Sequence, residues 1–254
     1  MTLFTEDPIS TLQDLSQYES SVLELAGTEG IDLTAKLGIA KTEIGLEITR
    51  AFVRLHPSAE RFSTGQISLE GVVVTSAIRH WHVLQTLALT YQDAFNRRLN
   101  DRYQGKWKEF RNLAKSAGEL LFSIGVGIVW EPVPKAATPE LGFVAGGRPP
   151  ATYVVRVAWM NSRGEEGQPS NEEWITLPQD HALSVRAIAP PPVAVGWNVY
   201  AGFDSESLSL QNTEPIPAQA AWIEPAHGLI SGRGVGNGQQ ANIVRGLPRV
   251  LQRG

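Results

Sequence analysis

The chain has 254 residues, 42% hydrophobic and 19% charged, with a net charge of −4, and is long enough to hold two modest cores. It contains no cysteine, which excludes disulfides, thiolate metal sites and a cysteine nucleophile. The acidic start MTLFTEDPIS is unlike a signal peptide, and no run approaches the ~18 apolar residues of a membrane span, so we expect a soluble protein without a membrane partner.

The first half of the chain predicts helices. Residues 10–26 are typical of a short helix, and Asp32 is the expected N-cap of a second helix that ends near Leu55. The buried stripe of that second helix is predicted at Leu33, Leu37, Ala40, Ile44, Ile48, Ala51, Phe52 and Leu55. Residues 57–75 are expected to form a loop with a short extended piece at Val72–Val74, and a third helical region begins near Ser76.

This third region leads into the strongest periodic signal in the chain. Apolar residues recur in steps of 3 or 4 at Tyr91, Phe95, Leu99, Tyr103, Trp107, Phe110, Ala114, Ala117 and Leu121. The spacing predicts one buried stripe on a long helix over Tyr91–Phe122, in which Gly105 marks a bend or a break. Residues 1–130 are therefore predicted to form an all-helical bundle.

Charge is unevenly distributed around this helix. Residues 1–75 hold 5 basic and 11 acidic residues, residues 76–118 hold 8 and 3, and residues 119–254 hold 9 and 12. An uninterrupted helix would carry four of the central cations on one face, namely Arg97, Lys108, Arg111 and Lys115. Two interpretations stay open for this basic face: it meets DNA, or it meets the acidic residues 1–75 of the same or the next subunit.

The wording AFNRRLNDRYQGKWKEF, at residues 94–110, resembles a helical segment of tailed-phage neck proteins, the adaptors between portal and tail. The resemblance covers roughly residues 30–125. It implies a dodecameric ring of this chain on a twelve-fold portal, in the neck of a virion assembled in the host cytoplasm. The implied partners are the portal protein, tail or neck-completion proteins, other copies of this chain, and the genomic double-stranded DNA that passes through the lumen.

The second half of the chain predicts strands. Residues 131–150 contain five prolines and three glycines, which indicates a linker. Beyond it the apolar period becomes 2, because Tyr153, Val155, Val157 and Trp159 share a face while Arg156 points the other way. Further strands are predicted in EEWITL, HALSVRAI and GWNVYAGF, around Leu208–Gln211 and in AAWIEP. Residues 151–226 are therefore expected to form a small antiparallel β-sandwich.

The stretch YVVRVAWMNSRGEEGQPS, followed by GWNVYAGF, resembles a fibronectin type III-like domain. The resemblance implies that Trp197, Val199 and Tyr200 form the aromatic-x-V-Y core of a central strand. Four tryptophans of this region can pack in the core or stack on sugar rings, and we favour the core: Trp159, Trp174, Trp197 and Trp222.

Residues 227–254 are rich in glycine and arginine and contain no acid. We interpret them as an extended tail that docks on the portal, although a disordered end is the simpler alternative. The arginines suit an acidic partner and the apolar residues can anchor. The proposed docking residues are Arg233, Ile243, Val244, Arg245, Leu247, Arg249, Val250, Leu251 and Arg253. Adaptors of this resemblance also tend to insert a C-terminal extension into the portal.

No catalytic motif stands out in the sequence. His80 and His82 form an HxH, but residues two apart on a helix point in different directions and cannot share a metal. The GRGVGNG run at residues 232–238 lacks the Lys-Ser/Thr of a phosphate loop. We therefore expect a non-catalytic structural protein without cofactor or metal, of α+β multidomain class. The alternative is a carbohydrate-binding or fibre-associated phage module, and an unrecognised enzyme is the third class considered.

Overall fold

A computed structural model describes residues 2–6, 8–55, 68–98 and 101–245. Helices occupy the first half of the chain and antiparallel sheets follow, which confirms the expected α+β class. The described residues divide into two compact units. The helical unit comprises those of Phe4–Trp130 and Ala241–Gly254, and the β unit comprises those of Met1–Leu3 and Glu131–Gln240.

The helices of the helical unit begin and end at local sequence signals. They are α1 (Leu12–Tyr18), α2 (Val22–Glu29), α3 (Leu33–Leu55), α4 (Ser76–Arg98) and α5 (Gln104–Ile124). Asp32 caps α3, as expected, because its carboxylate accepts from the backbone N–H groups of Thr34 and Ala35. Gly30 ends α2 in the left-handed conformation at φ +64°. None of the described helices combines the length and the apolar run needed to cross a bilayer.

The prediction of one helix over Tyr91–Phe122 is wrong. Helix α4 ends at Arg98, a 3₁₀ turn occupies Asp101–Tyr103, and α5 begins at Gln104, ahead of the expected weak point at Gly105. The two helices run antiparallel, because three aromatic pairs join early α4 to late α5 and late α4 to early α5: Trp81 with Phe122, Tyr91 with Phe110, and Phe95 with Trp107. Folding back lets the two halves of the stripe bury each other.

A small sheet lies at the C-terminal end of α5. Strand β1 (Val126–Ile128) pairs antiparallel with β9 (Asn242–Val244), and Val72 bridges to Ile128 on the other side. Gly125 makes the approach of β9 possible, because a Cβ there would lie 2.6 Å from the side chain of Ile243. The end of the described chain is thereby fixed to the helical unit.

The β unit contains two antiparallel sheets. One has the strand order β2-β5-β8 and the other β4-β3-β6-β7. The strands are β2 (Glu140–Ala145), β3 (Ala151–Met160), β4 (Glu173–Leu177), β5 (His181–Arg186), β6 (Gly196–Gly202), β7 (Ser209–Leu210) and β8 (Trp222–Ile223). Both sheets contribute to one core, in which Tyr153, Val155, Val157 and Trp159 of β3 share a face as their alternation predicts.

The segment expected to be a linker, residues 131–150, is part of this unit. It supplies strand β2, paired with β5, and two buried core residues, Val133 and Ala136. The prolines of this segment lie outside strand β2. Its composition therefore resembles that of a linker, although the residues between the prolines pair with β5. Trp159, Trp197 and Trp222 are buried in the core, whereas Trp174 is 50% exposed.

The α4–α5 contact should dominate the stability of the helical unit. Leu121 of α5 is fully buried, and its neighbour Leu120 is 52% exposed, so the two leucines form a matched pair. We expect Leu121→Ala to lower the free energy of unfolding by about 2–5 kcal/mol, because it leaves a cavity. Leu120→Ala should change it by less than about 0.5 kcal/mol. Urea denaturation followed by circular dichroism measures both, and equal losses would contradict this packing.

Candidate assembly surfaces

The four residues of the expected basic face do not share one helix. Arg97 lies in the last turn of α4, whereas Lys108, Arg111 and Lys115 lie on α5. Glu29 is the last residue of α2, and its backbone carbonyl oxygen accepts a hydrogen bond of 2.6 Å from Nη1 of Arg97. Arg97 therefore neutralises the C-terminal end of that helix dipole inside the chain. This cation is used by the fold itself.

The same arginine belongs to a small charge cluster. Asp93 accepts from Lys36 of α3 at 2.9 Å and from Arg97 at 3.4 Å. The hydrogen bond from Lys36, assisted by the charges of Lys36 and Arg97, holds the pKa of the Asp93 carboxyl below its usual value against the opposing effect of burial. The cluster joins α3 to α4.

The three cations of α5 face solvent. Lys115 lies 3.9 Å from Glu119 one turn on, and Lys108 and Arg111 make no ion pair with any residue that the structure describes. At 100° per residue, the three lie about 170° around the helix from Leu113, Leu120 and Ile124. Helix α5 thus presents a basic flank on one side and an apolar flank on the other.

The residues of the expected docking tail are divided between the two units. Arg233 belongs to the β unit, where its guanidinium lies 3.0 Å from Glu166 and over the ring of Tyr200. Glu166 also accepts from Tyr200 at 2.6 Å and from Asn198 at 2.8 Å. Burial, together with Glu166, raises the pKa of Tyr200, so its hydroxyl stays a donor. Arg233 is therefore committed inside its own unit.

The remaining tail residues follow the β unit. Ile243 and Val244 pair with β1 in strand β9, and Arg245 follows them as an exposed residue. Leu247, Arg249, Val250, Leu251 and Arg253 lie outside the described residues. The glycine-rich run at residues 232–238 begins against β7, where a Cβ at Gly232 would stand 2.5 Å from the carbonyl oxygen of Leu210.

Sequence reasoning missed an apolar stripe on the outer face of α3. Ile39, Leu46 and Val53 recur every seven residues and are 44–66% exposed. Smaller residues fill the intervening positions, so the full stripe steps by 4 and 3 through Ala35, Ile39, Thr42, Leu46, Thr49 and Val53. The heptad spacing was visible in the sequence, but the more strongly apolar stripe on the opposite face had already accounted for the helix.

The hydroxyl groups on the α3 stripe make their hydrogen bonds within the helix. Thr42 donates to the carbonyl oxygen of Gly38 at 3.0 Å, and Thr49 donates to that of Gly45 at 2.8 Å. Covering this face would therefore leave no hydroxyl without a partner. A second stripe on α5, formed by Leu113, Leu120 and Ile124, is similarly 44–52% exposed.

The described residues offer little for metal or acid–base chemistry. They contain no group of three or more His, Asp or Glu side chains that could hold a metal ion. His82 is buried between Ser10 at 2.6 Å and the carbonyl oxygen of Leu37 at 3.0 Å, and His80 contacts the hydroxyl of Tyr18. A polar cleft of about 450 Å³ is lined by Ser21, Glu24, Leu25, Thr28, Tyr91, Arg102, Tyr103 and Lys106. Its charged lining residues are one acid, Glu24, and two bases, Arg102 and Lys106.

The different uses of the cations lead to a stability prediction. We expect Arg97→Met to lower the free energy of unfolding by about 1 kcal/mol, because the carbonyl group of Glu29 loses its donor. Lys108→Met and Arg111→Met serve as controls and should stay within about 0.5 kcal/mol of the wild type. Thermal and urea denaturation measure the three variants. A loss at Lys108 or Arg111 as large as at Arg97 would contradict the solvent-facing assignment.

The charge cluster predicts a pH dependence. A carboxyl with a lowered pKa in the folded state contributes stability that is complete above its unfolded pKa, about 3.9, and is lost as the pH falls through the folded pKa. Asp93→Asn should therefore be less stable than the wild type at pH 7, and the difference should shrink below about pH 4. Urea denaturation at pH 7, 5 and 3 tests this, and a constant difference across the range would contradict it.

No protein-family model matches this chain, and no curated protein matches its sequence. The two exposed stripes and the solvent-facing basic flank all lie on the helical unit, and exposed apolar surfaces of this kind favour association with other proteins.

Proposed function

We propose that this chain is a structural virion protein of a tailed phage, an adaptor that forms a ring on the portal, extends the DNA channel and docks the tail. One observation carries the proposal: the helical unit exposes two apolar stripes on two different helices, α3 and α5. Two unlike adhesive surfaces on one subunit favour head-to-tail association, which closes into a ring when the rotation between subunits permits. The resemblance of residues 94–110 to phage neck proteins agrees with this.

The resemblance implies that the ring assembles on a phage portal. It implies a dodecameric ring on a twelve-fold portal, with genomic DNA in the lumen and tail or completion proteins on the far side. The solvent-facing cations Lys108, Arg111 and Lys115 are available to DNA or to an acidic partner surface. Arg97 is excluded from that role because the fold uses it.

The portal-docking element is proposed to be the segment that follows β9. Strand β9, which pairs with β1 of the helical unit, fixes the position of the residues that precede this segment. Leu247, Arg249, Val250, Leu251 and Arg253 combine positive charge with apolar anchors, and a ring would engage many copies at once. Arg233, Ile243 and Val244 contribute indirectly, because they hold the preceding chain in place.

A second candidate function has one observation in its favour. Trp174 of β4 is 50% exposed, and an exposed indole is a common platform for sugar rings. Trp222, by contrast, is buried in the core and is not available for stacking. A carbohydrate-binding or fibre-associated module would therefore bind glycan through Trp174, and Trp174→Ala would abolish that binding without unfolding the β unit.

The decisive experiment is assembly with the portal of the same phage. Purified chain, alone and mixed with portal, is examined by light scattering and negative-stain microscopy, and we expect rings stacked on the portal. Deleting residues 247–254 should leave thermal stability unchanged but weaken portal binding at least tenfold. The control deletion of residues 241–254 also removes β9 and should lower the stability of the helical unit. Failure to associate with portal or with itself, together with glycan binding lost in Trp174→Ala, would replace the proposal by the second candidate.

A further inference from the structure

We infer that helix α3 of one copy packs in parallel against helix α5 of the next copy, with Leu46 beside Leu120 and Ile39 beside Leu113. The inference rests on the proposed head-to-tail association and specifies the surfaces that make it. The two stripes cannot meet within one copy, because α4 packs against both helices and separates them. A second copy of this chain supplies the complementary stripe for each.

The directions of the helices support a parallel pairing. Helix α3 crosses α4 in the opposite sense, since Lys36 contacts Asp93 while Glu43, farther along α3, contacts Gln85. The crossing is oblique, because the Leu37 carbonyl oxygen also lies 3.0 Å from His82. Helix α5 also runs antiparallel to α4. Therefore α3 and α5 point the same way in each copy. A cyclic ring whose axis lies along the helices preserves that direction from copy to copy, so neighbouring α3 and α5 meet in parallel.

Spacing and charge then fix the register. When Leu46 lies level with Leu120, the smaller residues Thr42 and Thr49 fall level with Ser116 and Ser123. In a parallel coiled coil, the residue just before core position a is at position g. It faces position e of the partner helix, which lies five residues farther along than the partner's own level residue. That rule sets Glu119 of α5 against Arg50 of α3. Shifting the register by one heptad replaces Glu119 with the uncharged Asn112.

The two facing charges are free to exchange partners. Arg50 lies 3.5 Å from Glu47, and Glu119 lies 3.9 Å from Lys115. All four side chains are at least half exposed, so their present pairs contribute little. Forming the Arg50–Glu119 pair between copies therefore costs the folded subunit little stability.

The opposite edge of the contact is apolar. The same register sets Ile124 of α5 against the position of Gly45 on α3. Gly45 is itself buried, because Phe4 and Leu69 of its own unit lie 3.2 and 3.3 Å from where its Cβ would stand. Ile124, which is exposed in the single copy, thus meets the partly exposed Leu69 that covers Gly45. One edge of the pairing is charged and specific, and the other is apolar.

Disulfide trapping tests the pairing directly, because the 254-residue chain has no cysteine of its own. Leu46→Cys and Leu120→Cys change exposed positions, so both variants should fold. Under oxidising conditions an equimolar mixture should give a cross-linked dimer, whereas either variant alone should give none. Leu46→Cys mixed with Leu113→Cys is the register control, because the two sulfurs would lie about 10 Å apart along the helix, beyond disulfide reach.

A charge exchange tests the register independently. In the cross-linking pair, adding Arg50→Glu to the Leu46→Cys copy should lower the rate of dimer formation roughly two- to fivefold. Adding Glu119→Arg to the Leu120→Cys copy should do the same, and combining both changes should restore the rate. Lys108→Glu is the matched control: it reverses a charge on α5 about 140° from the stripe and should leave the rate unchanged.

The outcomes separate this pairing from the proposed function. Cross-linking by Leu46→Cys alone would mean that α3 pairs with α3, and would overturn the inference. Absence of a dimer in the mixture, equal cross-linking with Leu113→Cys, or no restoration by the double exchange would overturn it as well. If light scattering and microscopy show rings in any of these cases, the proposed function survives without this interface. If the chain assembles neither alone nor on portal, the proposed function itself fails.

Discussion

The packing of α4 between α3 and α5 is the constraint on which the rest of the helical unit depends. Aromatic pairs join α4 to α5, and Gly118 allows this contact, because a Cβ there would lie 3.0 Å from the ring of Trp81. On its other side, α4 is joined to α3 by the Lys36–Asp93 ion pair and by His82. With its own surface used in this way, α4 leaves the outer faces of α3 and α5 exposed. The exposure of both stripes is thus a consequence of how the core is built.

Local signals in the sequence were read correctly. The cap at Asp32, the alternation in β3 and the burial of Trp197 each depend on residues close together in the chain. The sequence marks Gly105 as a bend or a break, but it does not place the break ahead of Gln104, because Leu99 and Tyr103 continue the helical spacing. Steps of 3 and 4 report which residues are buried, and they do not show whether one helix or two carry them.

The spacing of apolar residues does not show which distant segments of the chain pair with each other. Strand β9 is three residues long, and its apolar content was interpreted as an anchor for a partner rather than as a strand of this chain. The prolines on either side of strand β2 favour the prediction of a linker over that of a strand. The sequence does not show which of the predicted site cations have partners inside the chain, as Arg97 and Arg233 do. The solvent-facing subset became clear only once those partners were known.

The contact between β1 and β9 has a thermodynamic consequence. Residues 131–240 of the β unit lie between these two strands in the chain, so they form the long connection between β1 and β9. Closing a flexible loop of that length costs about 3 kcal/mol more than closing a short turn. Gln239 removes much of that entropy cost, because it bonds to the backbone of Glu131 and Val133 and holds the two ends of the β unit together. Folding of the β unit therefore favours the pairing of β9 with β1, and unfolding of the β unit would weaken that pairing.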